Sequence, residues 1–85
     1  MAFIFKEGNV TVTIQTRDHR PAHVHVDSPD ASVKVDISGP VPKILPVSKK
    51  KRAKSSAAFE RKALKMVGDK LELCQAAWRK YHGSL

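Results

Sequence analysis

The chain reads as one α+β domain, a three- or four-stranded antiparallel meander packed on one long C-terminal helix. Three observations lead there. Residues 1–38 hold short runs of alternating apolar and polar residues, divided by clusters of Gly, Asn, Asp, Ser and Pro. Residues 55–82 change to apolar spacings of three and four. Between them, residues 39–54 form a proline-rich connector followed by a basic run. Eighty-five residues support a single modest core.

Each element has its own justification. Ala2-Phe3-Ile4-Phe5 is a first strand or a cap on the core, and Lys6-Glu7-Gly8-Asn9 is a turn, since Gly and Asn tolerate positive φ. Residues 10–16 alternate and place Val10, Val12 and Ile14 on one face, so the first two runs read as a hairpin. His23-Val24-His25-Val26 also alternates. Its valines belong to the core face, and its imidazoles are expected on the opposite, open face. Pro21 biases Arg20 toward extended backbone, as a turn feeding a strand requires. After the turn Asp27-Ser28-Pro29-Asp30, residues 32–37 point Val33, Val35 and Ile37 inward and Lys34 and Asp36 outward. Pro40, Pro42 and Pro46 make residues 39–47 an extended connector, with Ile44, Leu45 and Val47 along the sheet edge.

From Ser55 or Ser56 as N-cap, the stripe Leu64, Val67, Leu71, Cys74, Trp78 and Tyr81 supplies the cover the sheet needs, and Gly83 ends the helix. Gly68 costs that helix about 1 kcal/mol against Ala, which points to a close approach or a bend. A second stripe, Phe59, Met66, Leu73 and Ala77, lies about 100° or more around the axis. Either residues 39–47 or the first strand cover it, or it docks a protein partner or a second copy of the chain.

Charge is divided along the chain. The net charge is +8. Residues 1–48 balance Lys6, Arg17, Arg20, Lys34 and Lys43 against Glu7, Asp18, Asp27, Asp30 and Asp36, so the whole excess lies in residues 49–85. An anionic partner is the expectation, and nucleic acid, RNA or DNA, is the commonest one. Lys49, Lys50, Lys51, Arg52 and Lys54, with Arg61, Lys62 and Lys65 on the first helical turns, are the candidate phosphate contacts. The aromatic residues are few and expected to be buried, which argues against a stacking platform. No apolar run is long enough to span a bilayer, MAFIFKEG lacks the design of a signal peptide, and the single cysteine, Cys74, fits a reducing compartment. A cytoplasmic protein without a membrane partner is the expectation.

The chemistry-bearing stretch is Asp18-His19-Arg20-Pro21-Ala22-His23-Val24-His25-Val26, which holds three of the four histidines. His19, His23 and His25, with Asp18, are the candidate acid–base residues. Two imidazoles can share base and acid roles in RNA cleavage near neutral pH, and Arg17, Arg20 or Lys34 would stabilise the charged intermediate. The same histidines could chelate a metal, His23 and His25 from one strand face and His19 from the preceding turn, with Asp18 as ligand or orienting group and only His82 left to add another. An H-x-H strand normally needs further ligands from distant loops, so no metal or other cofactor is assigned. The absence of a Gly-rich phosphate loop argues against an NTPase.

This nine-residue run, the strand at 31–37 and the later Ala63-Leu64-Lys65-Met66-Val67, Trp78 and His82-Gly83 resemble the DUF4160 family of small bacterial proteins. That family's hallmark is Asp-His-x-Pro-Pro-His-Phe-His-Val, then a strand and a C-terminal helix bearing a tryptophan. The resemblance covers most of residues 10–82. Ala22 stands where the family has a second proline, Val24 where it has an aromatic residue, and a basic run is inserted before the helix. Members are often encoded beside a second small protein in arrangements that look like toxin–antitoxin pairs. The resemblance therefore implies one component of a toxin–antitoxin-type or regulatory pair, with a small cognate protein partner. The family has no established activity. Two function classes stand side by side: a module that binds nucleic acid and protein, and a His-dependent ribonuclease or phosphodiesterase. A metal-binding module is a third.

Overall fold

A computed structural model describes residues 2–15, 22–29, 31–45 and 57–83. Among these residues, five strands form one antiparallel sheet in sequence order: β1 (Ala2–Glu7), β2 (Val10–Ile14), β3 (His23–Asp27), β4 (Ser32–Asp36) and β5 (Lys43–Ile44). Two helices follow, α1 (Ala57–Asp69) and α2 (Leu71–His82). The α+β class and the antiparallel order are as the alternation predicts. The strand count is five rather than three or four, because the connector contributes a two-residue edge strand opposite Val35 and Asp36. Prolines confine it to that edge, where one missing N–H breaks no central ladder.

The turns follow from their residues. Gly8 takes φ 60° and no non-glycine residue described has a positive φ, the sign pattern of a type II′ turn at Gly8-Asn9 between Glu7 and Val10. At the β3–β4 turn the Ser28 N–H donates to the Ala31 carbonyl at 2.8 Å, and the Ala31 N–H donates to Ser28 Oγ at 3.0 Å. Where the chain leaves β4, the backbone N–H and the hydroxyl of Ser38 both donate to Asp36 Oδ1, at 2.8 and 2.7 Å.

The single long helix expected over 55–82 is instead two. The chain leaves helical geometry at Lys70, with φ −123° and ψ 26°, and the Cys74 N–H resumes the helical pattern on the Lys70 carbonyl at 3.0 Å. Gly83, at φ 86°, caps the end, its N–H on the Arg79 carbonyl at 2.8 Å. The break redistributes both predicted stripes. Val67, Cys74 and Trp78 are buried, but Tyr81 is 41% exposed, and His82 takes the inward position in its place. Of the second stripe, Met66 is buried in the core and Phe59 packs against it, Ala77 is half-buried, and Leu73 is 47% exposed. Phe59, Met66, Leu73 and Ala77 therefore do not form one continuous exposed surface.

The core lies between the valine face of the sheet and the helices: Val10, Val12, Ile14, Val24, Val26, Val33, Val35 and Ile37 against Ala63, Met66, Val67, Cys74 and Trp78. No helix among the described residues is long and apolar enough to cross a membrane. Gly68 is exposed, and a Cβ built there meets only Pro42 Cγ, at 3.6 Å, an ordinary contact. The glycine is therefore not required by a close approach. Gly68→Ala is expected to stabilise the fold by about 0.5–1 kcal/mol through helix propensity. A rise in the urea midpoint at constant slope checks this, and a fall would show that Gly68 is needed for the break at Lys70.

Candidate nucleic-acid interface and histidine cluster

The inward residues of α2 do more than bury apolar surface. Gln75 Nε2 donates to the carbonyls of Ile37 and Gly39, at 3.0 and 3.3 Å. Two turns further on, His82 Nε2 lies 2.9 Å from the Gln15 carbonyl. A carbonyl only accepts, so Nε2 carries the proton. From Gln75 to His82 a helix rises about 10 Å, and the two interstrand spacings from β4 to β2 also span about 10 Å. The match fits a helix that runs from the end of β4 to the end of β2 and satisfies backbone acceptors at both.

Trp78 sits between these anchors. Its ring stacks on His82 with centroids 3.8 Å apart and 17° between planes, and lies 5.7 Å from the ring of His23, which is 5.3 Å from His25. Four rings thus run in one series from the sheet to the end of α2. The β2–β3 ladder ends at Thr13↔His25, whereas β3–β4 pairing continues to His23↔Asp36, so the series of rings lies where one ladder has stopped and the other has not. His23 is only 6% exposed, which corrects the expectation that both imidazoles of the H-x-H strand face solvent; His25 is half-buried. Alternation assigns the two rings to one face correctly. It gives no sign that Trp78 reaches the strand end and buries one of them.

Of the acid–base candidates, then, His23 and His25 are together, while Asp18 and His19 fall outside the described residues, as do Arg17 and Arg20. Lys34 is the cross-strand neighbour of His25 and is exposed. Among the described residues, no group of three or more His, Cys, Asp or Glu is disposed to hold a metal ion. Cys74 is fully buried, and desolvation pushes its thiol up to about 11, which marks it as an apolar filler.

Of the basic candidates, Arg61, Lys62 and Lys65 are all exposed on the outer side of α1, away from the buried Ala63, Met66 and Val67. Lys49, Lys50, Lys51, Arg52 and Lys54 lie outside the described residues. The residues missed by sequence reasoning are Gln75, His82 and Phe3. His82 has a legible signal in its spacing of four from Trp78. Phe3 has none. It is 64% exposed, because the β1–β2 register shifts between Phe3 and Phe5.

Comparison with protein-family models, with curated proteins and with solved structures finds no match to this chain. The resemblance to the DUF4160 family rests on its motif residues alone.

Trp78→Ala is expected to cost about 3–5 kcal/mol and His23→Ala roughly 1–3, while His25→Ala stays within about 1. Chemical denaturation ranks them, and equal costs at His23 and His25 would contradict the buried placement of His23. The Cys74 thiol is expected to react with alkylating reagents only through unfolding. Its folded value is raised, so its share of stability is complete below the free thiol's 9.0 and is lost as pH rises toward about 11. Labelling as fast in native buffer as in denaturant would refute the burial.

Proposed function

We propose that this protein is a DUF4160-like nucleic-acid-binding component of a bacterial toxin–antitoxin-type or regulatory pair, which also binds a small protein partner. The observation that carries the reading is the segregation of charge. The β half is neutral in sum, the excess of +8 falls in residues 49–85, and Arg61, Lys62 and Lys65 stand exposed on one helix directly after the basic run. Ammonium and guanidinium groups on one solvated surface gain affinity for a polyanion by releasing its counterions, without reading sequence. A protein partner is implied by the resemblance, and the exposed Leu73 and Tyr81 on α2 are the apolar side chains such a partner would cover first.

A second reading, a ribonuclease, is favoured by one distance, the 5.3 Å between the rings of His23 and His25 beside the exposed Lys34. On that reading His25, the more accessible ring, exchanges the proton with substrate, and His23 holds it in place.

Replacing Arg61, Lys62 and Lys65 together by Ala is expected to weaken binding of RNA or DNA and to reduce the slope of log affinity on log salt. The slope falls by about 0.7–0.9 for each phosphate that is no longer neutralised. Replacing Lys49, Lys50, Lys51 and Arg52 should do the same. Unchanged affinity at matched salt, with the circular dichroism of the wild type, would overturn the binding reading. RNA cleavage that His25→Ala abolishes while binding persists would favour the enzyme.

A further inference from the structure

We propose that the polar face of the sheet is a stacking platform for single-stranded nucleic acid, with Phe3 and His25 as its rings and Lys6, Lys34 and Lys43 as its phosphate contacts. This rests on the nucleic-acid reading and assigns to it a second surface, a substrate form and a mode of contact. The helices cover the valine face, and the opposite face is read from the register. Its central row crosses four strands as Phe3, Thr13, His25 and Lys34. Above it lie Lys6, Thr11, Asp27 and Ser32, and below it His23, Asp36 and Lys43.

Phe3 is on this face for a specific reason. Phe3 and Phe5 are two residues apart, and a regular strand would send both to the same side. Phe3 pairs with Thr13 but Phe5 pairs with Val12, so two steps in β1 match one step in β2. This is a bulge, and it re-aims one of the two rings. Phe5 packs against the core, and Phe3 is left 64% exposed among polar neighbours. Phe3 thereby forgoes the burial that Phe5 gains, and stands as the exposed phenyl ring of this face.

The surroundings of Phe3 select the ligand. The central row carries two rings and an ammonium group and no acid. Phe3 and His25 are separated by one strand, hence by about 9–10 Å, and the short side chain of Thr13 between them is buried. Lys6, Lys34 and Lys43 are exposed. The two carboxylates of the face lie in the outer rows and are occupied locally, Asp27 by the Ser32 hydroxyl and Asp36 by Ser38. Rings among cations suit unpaired bases stacked on π-faces with their phosphates on the flanking ammonium groups. A duplex hides its base faces, and two separated rings among charged side chains are a poor centre for a protein interface. The bulge also blunts β1 as an edge for strand addition.

The test is fluorescence anisotropy with a short uridine oligonucleotide and with an RNA duplex, using the full chain. Phe3→Ala is expected to lower single-strand affinity about tenfold, with duplex affinity and salt slope unchanged. Phe3→Trp should retain or raise single-strand affinity, and Lys34→Ala should reduce the single-strand salt slope by about 0.7, the share of one phosphate. If Phe3→Ala leaves single-strand binding intact while the Arg61, Lys62, Lys65 triple variant abolishes it, the platform is wrong and the binding reading stands. Wild-type protein that binds neither nucleic acid defeats both. Dissociation of a wild-type dimer by Phe3→Ala in sedimentation would reassign the face to a second copy of the chain and overturn the platform.

Discussion

The fold depends on how α2 is seated across the ends of the strands. A sheet whose valine face is fully apolar must be covered, but its strand ends also present carbonyls that a helix lying along the strands cannot reach. Gln75 and His82 reach them, on Ile37 and Gly39 at one side and on Gln15 at the other, with Trp78 buried between. This seat explains the break at Lys70. α1 contacts β4 and β5, and α2 contacts β1. One straight helix would have to follow both directions at once. Leaving helical geometry at Lys70 lets α1 cover the sheet and α2 turn across its end.

The same chain economy gives the sheet two unlike faces. Strict alternation in β2, β3 and β4 separates valines and isoleucine from Thr, His, Lys and Asp, and the antiparallel register stacks like with like. In β1 the sequence is apolar on both parities, and a regular strand would leave two phenyl rings competing for one side. The bulge resolves that conflict by giving Phe5 to the core and Phe3 to the polar face. Local irregularity at an edge strand is thus the device that sets which aromatic side chain water meets.

Much of this is legible in the sequence, and the reasons for the rest are physical. Val10, Val12, Ile14, Val24, Val26, Val33, Val35 and Ile37 all occupy the core that period-two alternation assigns to them. Gly8 and Gly83 stand at the positive-φ positions their turn and cap require. What alternation and spacing miss is whatever depends on how elements meet. Tyr81 continues a stripe by its spacing of three from Trp78, yet lies outside, because His82, at a spacing of four, is the residue that turns inward and bonds there. His23 lies on the face that alternation gives it but not in solvent, since its burial comes from a tryptophan fifty-five positions away in sequence. The expectation that the aromatic residues are buried fails at Phe3, because a register shift leaves no mark in composition.

His25 belongs to the outward row with Phe3 and Lys34, and its ring also neighbours that of His23, which in turn neighbours the Trp78–His82 stack. The polar face and the seat of α2 are therefore joined through neighbouring side chains, in an interior too closely packed for either to shift alone. His23 is buried at the strand end, with the ring of His25 on one side and that of Trp78 on the other. That position, between an outward ring and an inward one, backs His25 with a packed side chain. A ring backed by packed neighbours keeps fewer orientations than one in open solvent, and a fixed orientation is what stacking on a flat ligand requires.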